Sequence, residues 1–126
     1  MVSPAEALHG RYHVTQTYAN GAAVPEYDGA VRTDCLRGGE RCMSYFYNAE
    51  IDKPLVFANG KWTLNWQVDA PCSAGGTEHV KQTADYPMPQ PPQDPITLLT
   101  GHGHVVVTGS ACVGGDFDDK FVRTGD

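Results

Sequence analysis

Positive charge is what this sequence has least of. Lys and Arg number 9 against 15 Asp and Glu, a net charge of −6 that forms no block in either half. Nucleic acid and anionic membrane surfaces both need a basic footprint, so neither is expected as a partner. No apolar run approaches the roughly 20 residues that span a bilayer. No charged segment followed by an apolar one marks a signal peptide either. Membrane contact is therefore expected only through a tether outside this chain.

Catalytic signatures are missing too. Ser44, Ser73 and Ser110 lie in no G-x-S-x-G elbow, and no base stands beside them. There is no phosphate-cradling G-x-x-x-x-G-K-[ST] loop and no G-x-G-x-x-G opening a helix. Asp116, Asp118 and Asp119 lack the spacing, central glycine and terminal glutamate of a calcium loop, and read as a solvated strand face. The chain is expected to be a non-enzyme with no catalytic residue and no cofactor.

What is present suits one globular domain. Hydrophobic residues make up 40% and charged residues 19% of 126, a balance of folded rather than disordered chains. Four cysteines, Cys35, Cys42, Cys72 and Cys112, form no C-x-x-C pair, which disfavours a thioredoxin-like site or a zinc knuckle. Their even number fits two disulfides in an oxidising space. Of the three pairings, Cys35–Cys42 is favoured because CLRGGERC reads as a hairpin tip turning at Gly38 and Gly39; Cys72–Cys112 follows by elimination. An exported chain without an export signal predicts an ectodomain excised from a longer membrane protein.

Period-two alternation dominates. Trp62, Leu64, Trp66 and Val68 share one face of a strand, and Thr63, Asn65, Gln67 and Asp69 the other. Asn59-Gly60 before it suits a type I′ hairpin turn. Tyr12, Val14 and Tyr18 share a face that Gln16 interrupts. MSYFY, HVKQTADY, ITLLT, HVVVTG and DKFVRT read as further strands. About eight short strands joined mostly by tight turns predict an all-β antiparallel meander, closed as a small barrel or stacked as a two-sheet sandwich. Residues 1–8 read as a tail or short helix capped by Ser3, and residues 9–126 as the single domain. PMPQPPQDP, 87–95, reads as a stiff loop within it, because a linker there would leave too short a remainder to fold alone.

Two sets of residues invite a functional reading. His102 and His104, at i and i+2, would project together and are weak candidates for a metal; His9, His13 and His79 would have to supply further ligands. The plainer reading is that Gly101 and Gly103 flank a turn and the histidines decorate a solvent face. Tyr45, Tyr47, Trp62 and Trp66 are candidates for a ligand pocket or interface, with core packing as the alternative.

Several stretches together resemble a known family. They are HGRYHVTQTYANG, Cys35 and Cys42 followed by MSYFY, LVFANGKWTLNW, the cysteine in APCSAGGT, PPQDPITLLTGHGH and the closing DFDDKFVRTGD. In this order they resemble small extracytoplasmic modules of mycobacterial proteins, including the outer sensor regions of transmembrane serine/threonine protein kinases. The likeness covers residues 9–126. It implies an extracytoplasmic sensor that binds a small molecule or cell-envelope component, or pairs as a homodimer, with catalysis left to a kinase domain elsewhere. No H-R-D or D-F-G motif occurs here. The alternatives are a free secreted or lipid-anchored β-barrel for a small apolar ligand, and a metal-dependent hydrolase using His102 and His104.

Overall fold

A computed structural model describes residues 3–36, 41–72 and 74–126. Among these, eight strands run in order: β1 (Gly10–Tyr18), β2 (Tyr27–Cys35), β3 (Cys42–Tyr47), β4 (Asp52–Ala58), β5 (Lys61–Pro71), β6 (Thr77–Pro87), β7 (Leu98–Val107) and β8 (Gly115–Gly125). Each pairs antiparallel with the next, and β1 also pairs with β8, so the sheet closes as a barrel. Closure removes the exposed edges that a sandwich would leave.

Alternation sets the interior. Tyr12, Val14, Phe46, Leu55, Trp62, Leu64, Tyr86, Leu99, Val105, Phe117 and Phe121 point inward and are buried. Phe121 meets three rings edge-on, Phe46 at 5.4 Å, Tyr86 at 5.5 Å and Tyr12 at 6.4 Å. Each such pair contributes about 0.5–1.5 kcal/mol beyond area burial. The Asn59-Gly60 hairpin forms as its sequence requires, with φ of 54° and 76°.

One end of the barrel is plugged. Ser3 Oγ accepts from Ala5 N at the start of a 3-10 turn, Pro4–Ala7. Ala5, Ala7 and Leu8 enter the core, so this segment packs into the barrel rather than trailing from it. The proline loop between β6 and β7 meets it there: Ile96 is fully buried, its N–H donates to Ala7 O, and Tyr12 Oη donates to Ile96 O. At the other end lie the β1–β2, β3–β4, β5–β6 and β7–β8 connections.

Both disulfides pair as expected, Cys35–Cys42 and Cys72–Cys112. The Gly38–Gly39 turn proposed at the first lies outside the described residues. Among the described residues, no helix is long and apolar enough to cross a membrane.

The structure corrects two readings. Gly101 and Gly103 flank no turn; ITLLT and HVVVTG are parts of one strand, β7. Both glycines face inward because the Tyr86 and Phe117 rings occupy the space that a side chain would fill. The DFDD segment is not wholly solvated either: Asp116 and Asp118 face out, but Asp119 shares the inward parity of Phe117 and Phe121 and is buried.

Candidate functional site

Four polar side chains take inward positions toward the end opposite the N-terminal plug: Gln16 on β1, Lys53 on β4, Gln82 on β6 and Asp119 on β8. Lys53, Gln82 and Asp119 are 8%, 4% and 3% exposed, low enough that water cannot solvate them freely. Buried polar groups need partners, and charges most of all.

Asp119 has them. Tyr86 Oη donates to one carboxylate oxygen in a short hydrogen bond, and Gln16 Nε2 donates to the other at 3.1 Å. Burial pushes the Asp119 carboxyl up, and those two bonds together with the Lys53 charge only partly oppose it.

The Lys53–Gln82 pair is incomplete. Lys53 Nζ donates to Gln82 Oε1 at 3.0 Å. An ammonium only donates, so this bond fixes the amide oxygen toward Lys53 and turns Nε2 away. That nitrogen is buried and has no hydrogen-bond partner among the described residues. Lys53 itself makes no ion pair within 4.0 Å among them. Its ammonium lies 4.5 Å from the Trp66 ring centroid and 5.8 Å from that of Tyr27, contacts that partly stabilise a cation. Burial lowers the Lys53 pKa to about 8, with Asp119 pulling the other way. At neutral pH the lysine is therefore a buried cation held by one neutral acceptor and two aromatic faces.

The β4–β5 ladder stops beside this pair. β4 and β5 are laddered only from Leu55↔Leu64 to Ala58↔Lys61. β5 and β6 are laddered from Lys61↔Pro87 through Pro71↔Thr77, so their hairpin extends far beyond the β4 ladder. Lys53 and Trp66 lie just past the last β4–β5 pair. At this end of the barrel Ala22, Val24, Tyr27, Ile51, Trp66, Val80, Val107 and Val113 pack on the core but remain half-buried. The rim on the β6–β8 side is braced by the Cys72–Cys112 bridge and by Glu78. The Glu78 carboxylate accepts from the backbone N–H of Gly109 and Ala111 at 2.8 Å and Cys112 at 3.3 Å. Desolvation would raise the Glu78 pKa, but those three donors outweigh it and hold the carboxyl below its ordinary value.

No family model, curated protein or solved structure matches this chain.

The residues singled out in the sequence divide between two faces. Trp62 and Trp66 are inward: Trp62 is fully buried core, and Trp66 lies past the end of the β4–β5 ladder, over Lys53. Tyr45 and Tyr47 are on the outer wall. Arg32 lies 5.3 Å over the Tyr45 ring, which borders an open groove of about 760 Å³ with Leu36 and Val56. Tyr47 borders a different depression, with Arg11, Asp28 and Asn48. The four aromatics therefore form no single pocket.

His102 and His104 do project together from the outer wall of β7. Their Nδ1 atoms donate to Asp118 at 2.9 Å and Asp116 at 2.8 Å. The hydrogen bond to the Asp118 carboxylate raises the His102 pKa. His13 is engaged by Asp28 and Glu26, and His79 by Asp69 and Gln67, so neither joins the pair. Among the described residues, the one group of three potential ligands within 4.8 Å is Cys72, Glu78 and Cys112, whose sulfurs are bonded to each other. Ser44 is core, Ser110 is exposed, and Ser73 lies outside the described residues.

Sequence reading passed over Lys53 and Gln82 and took Asp119 for part of a solvated face. The signal was available: each sits at the inward parity of an otherwise apolar strand face, beside Leu55 and Phe57, Ala84 and Tyr86, and Phe117 and Phe121.

Proposed function

We propose that this barrel is an extracytoplasmic ligand-binding module that receives a small molecule at the end opposite the N-terminal plug. The observation that carries the proposal is the pair of donors, Lys53 Nζ and Gln82 Nε2, buried beneath half-exposed aromatic rings where the β4–β5 ladder stops. Such a site, mostly apolar with a few convergent polar groups, is the usual form of a small-molecule site. Two disulfides fit an oxidising compartment outside the cytoplasm. The sequence resemblance supports a further step: the barrel serves as the sensor of a transmembrane serine/threonine kinase, tethered through a segment beyond this chain. It would report occupancy through a change in association between receptor copies, which requires different ligand affinities in the two states.

The test is native mass spectrometry of the oxidised protein after incubation with cell-envelope extract, with sedimentation velocity in parallel. A bound small molecule, with a shift in sedimentation on binding, supports a sensor. Retention without a shift supports a free binding barrel. A protein that retains nothing from extract is not a ligand-binding module.

A further inference from the structure

We infer that the interior site takes a singly charged carboxylate carried on an apolar body, its head on Lys53 and Gln82 and its tail against the Trp66 and Tyr27 rim. The inference rests on the ligand-binding reading above and adds the chemical class.

The head follows from the donors. After its bond to Gln82 Oε1, the Lys53 ammonium keeps two N–H groups, and Gln82 Nε2 keeps two more. Every unused group is a donor, so the missing partner is an acceptor. A carboxylate offers two oxygens with about four lone-pair sites and accepts from neighbouring donors at once. It would also supply the charge that a buried ammonium lacks.

One charge suits the site better than two. Among the described residues Lys53 is the single buried cation, and Asp119 is a second ionisable group in the same interior. A phosphate monoester would bring nearly two negative charges against one positive. A cationic ligand would be repelled by the Lys53 ammonium and would find the Asp119 oxygens already engaged by Tyr86 and Gln16. The tail follows from the rim, where Tyr27, Ile51, Trp66, Val80, Val107 and Val113 leave apolar surface half-covered. Burying that surface stabilises by roughly 25 cal/mol per Å².

Intrinsic tryptophan fluorescence, with Trp66 at the rim, reports occupancy. Dodecanoate, dodecanol and dodecyltrimethylammonium would be titrated below their micellar concentrations into wild type, Lys53→Met and Gln82→Leu. Circular dichroism confirms that each variant folds. The expected result is saturable binding of dodecanoate, with dodecanol at least about tenfold weaker and the cation weaker still. In Lys53→Met, dodecanoate should fall to the affinity of dodecanol, and Gln82→Leu should lose part of the same preference. Equal binding of all three amphiphiles, unchanged by either substitution, overturns the carboxylate assignment and leaves a general apolar site. Binding of an extract component but of none of the three overturns the amphiphile class alone. No binding of either kind overturns both this inference and the function on which it rests.

Discussion

The indole N–H of Trp62 donates to Ser44 Oγ at 2.9 Å inside the barrel, and this bond sets the direction of a relay. Thr33 Oγ1 donates to Leu8 O at 2.7 Å, so it must accept from Ser44 Oγ, 2.6 Å away. The chain runs Trp62 to Ser44 to Thr33 to the backbone of the N-terminal plug. Ser44→Ala would leave a buried indole donor without its acceptor, at a cost of about 1–3 kcal/mol. Urea unfolding followed by tryptophan fluorescence measures it. A loss under about 0.5 kcal/mol, the range of ordinary surface substitutions, would mean that the relay carries no weight.

Gly103 offers a sharper contrast. A Cβ there would lie 2.5 Å from Phe117 Cζ and also against the Thr83 carbonyl oxygen, which is backbone and cannot swing aside. Gly103→Ala should therefore cost at least about 2 kcal/mol as an overpacking change. His104→Ala, one residue further along the same strand but on the outer face, should stay within about 0.5 kcal/mol. Thermal melts of the two variants would compare them directly, and equal losses would contradict the inward placement of Gly103.

The same residues explain what was legible. Alternation along single strands carried the all-β class, the Asn59-Gly60 turn and the inward face of β5, because those features are local. Glycine in Gly101-His-Gly103-His reads as a turn when the strand is considered alone. Only the Tyr86 ring from β6 and the Phe117 ring from β8 give the two glycines a reason to be in a strand. Strand β2 escaped for a related reason: its inner face carries Gly29, which lies beneath the Phe46 ring, and Thr33, which serves the relay. The polar interior was half-legible. Gln16 visibly interrupts an apolar face, and Lys53, Gln82 and Asp119 do the same. Their convergence depends on barrel closure, which joins β1 to β8 across more than 100 residues.

The two disulfides should differ in weight. Cys35–Cys42 closes a separation of 7 residues and Cys72–Cys112 one of 40. On the chain-entropy model the longer bridge stabilises by about 4 kcal/mol and the shorter by about 2.5. Glu78 grips the backbone on the Cys112 side independently, so the rim should keep its shape in a Cys72→Ser/Cys112→Ser variant while global stability falls. Guanidinium denaturation of the two double variants would rank them. A larger loss on removing Cys35 and Cys42 would reverse the expectation.

Lys53 makes stability depend on pH in a direction opposite to that of a typical salt-bridged lysine. Its folded pKa of about 8 lies below its ordinary 10.5, so between those values the unfolded chain binds more protons than the folded one. Stability then rises with pH, reaching full strength above 10.5 and falling away as pH drops through about 8. The groups around Lys53 are Asp119 on β8, Tyr27 on β2, Trp66 on β5 and Gln82 on β6; burial raises the Asp119 carboxyl and the Tyr27 phenol, and the indole and the amide do not titrate. Tyr12 and Tyr18, each pushed up to about 12 by burial, act in the opposite sense: their contribution is present below pH 10 and is lost as pH climbs through 12. Referencing to Lys53→Met cancels the tyrosines. Whatever constant cost the orphaned Gln82 Oε1 adds, the stability of the variant relative to wild type should fall by about 1.5 kcal/mol between pH 8 and about 9.5. Urea unfolding at half-unit intervals would trace the difference. A constant gap across that range would mean that Lys53 is neither buried nor strained as a cation, and would remove the physical basis for an anion beside it.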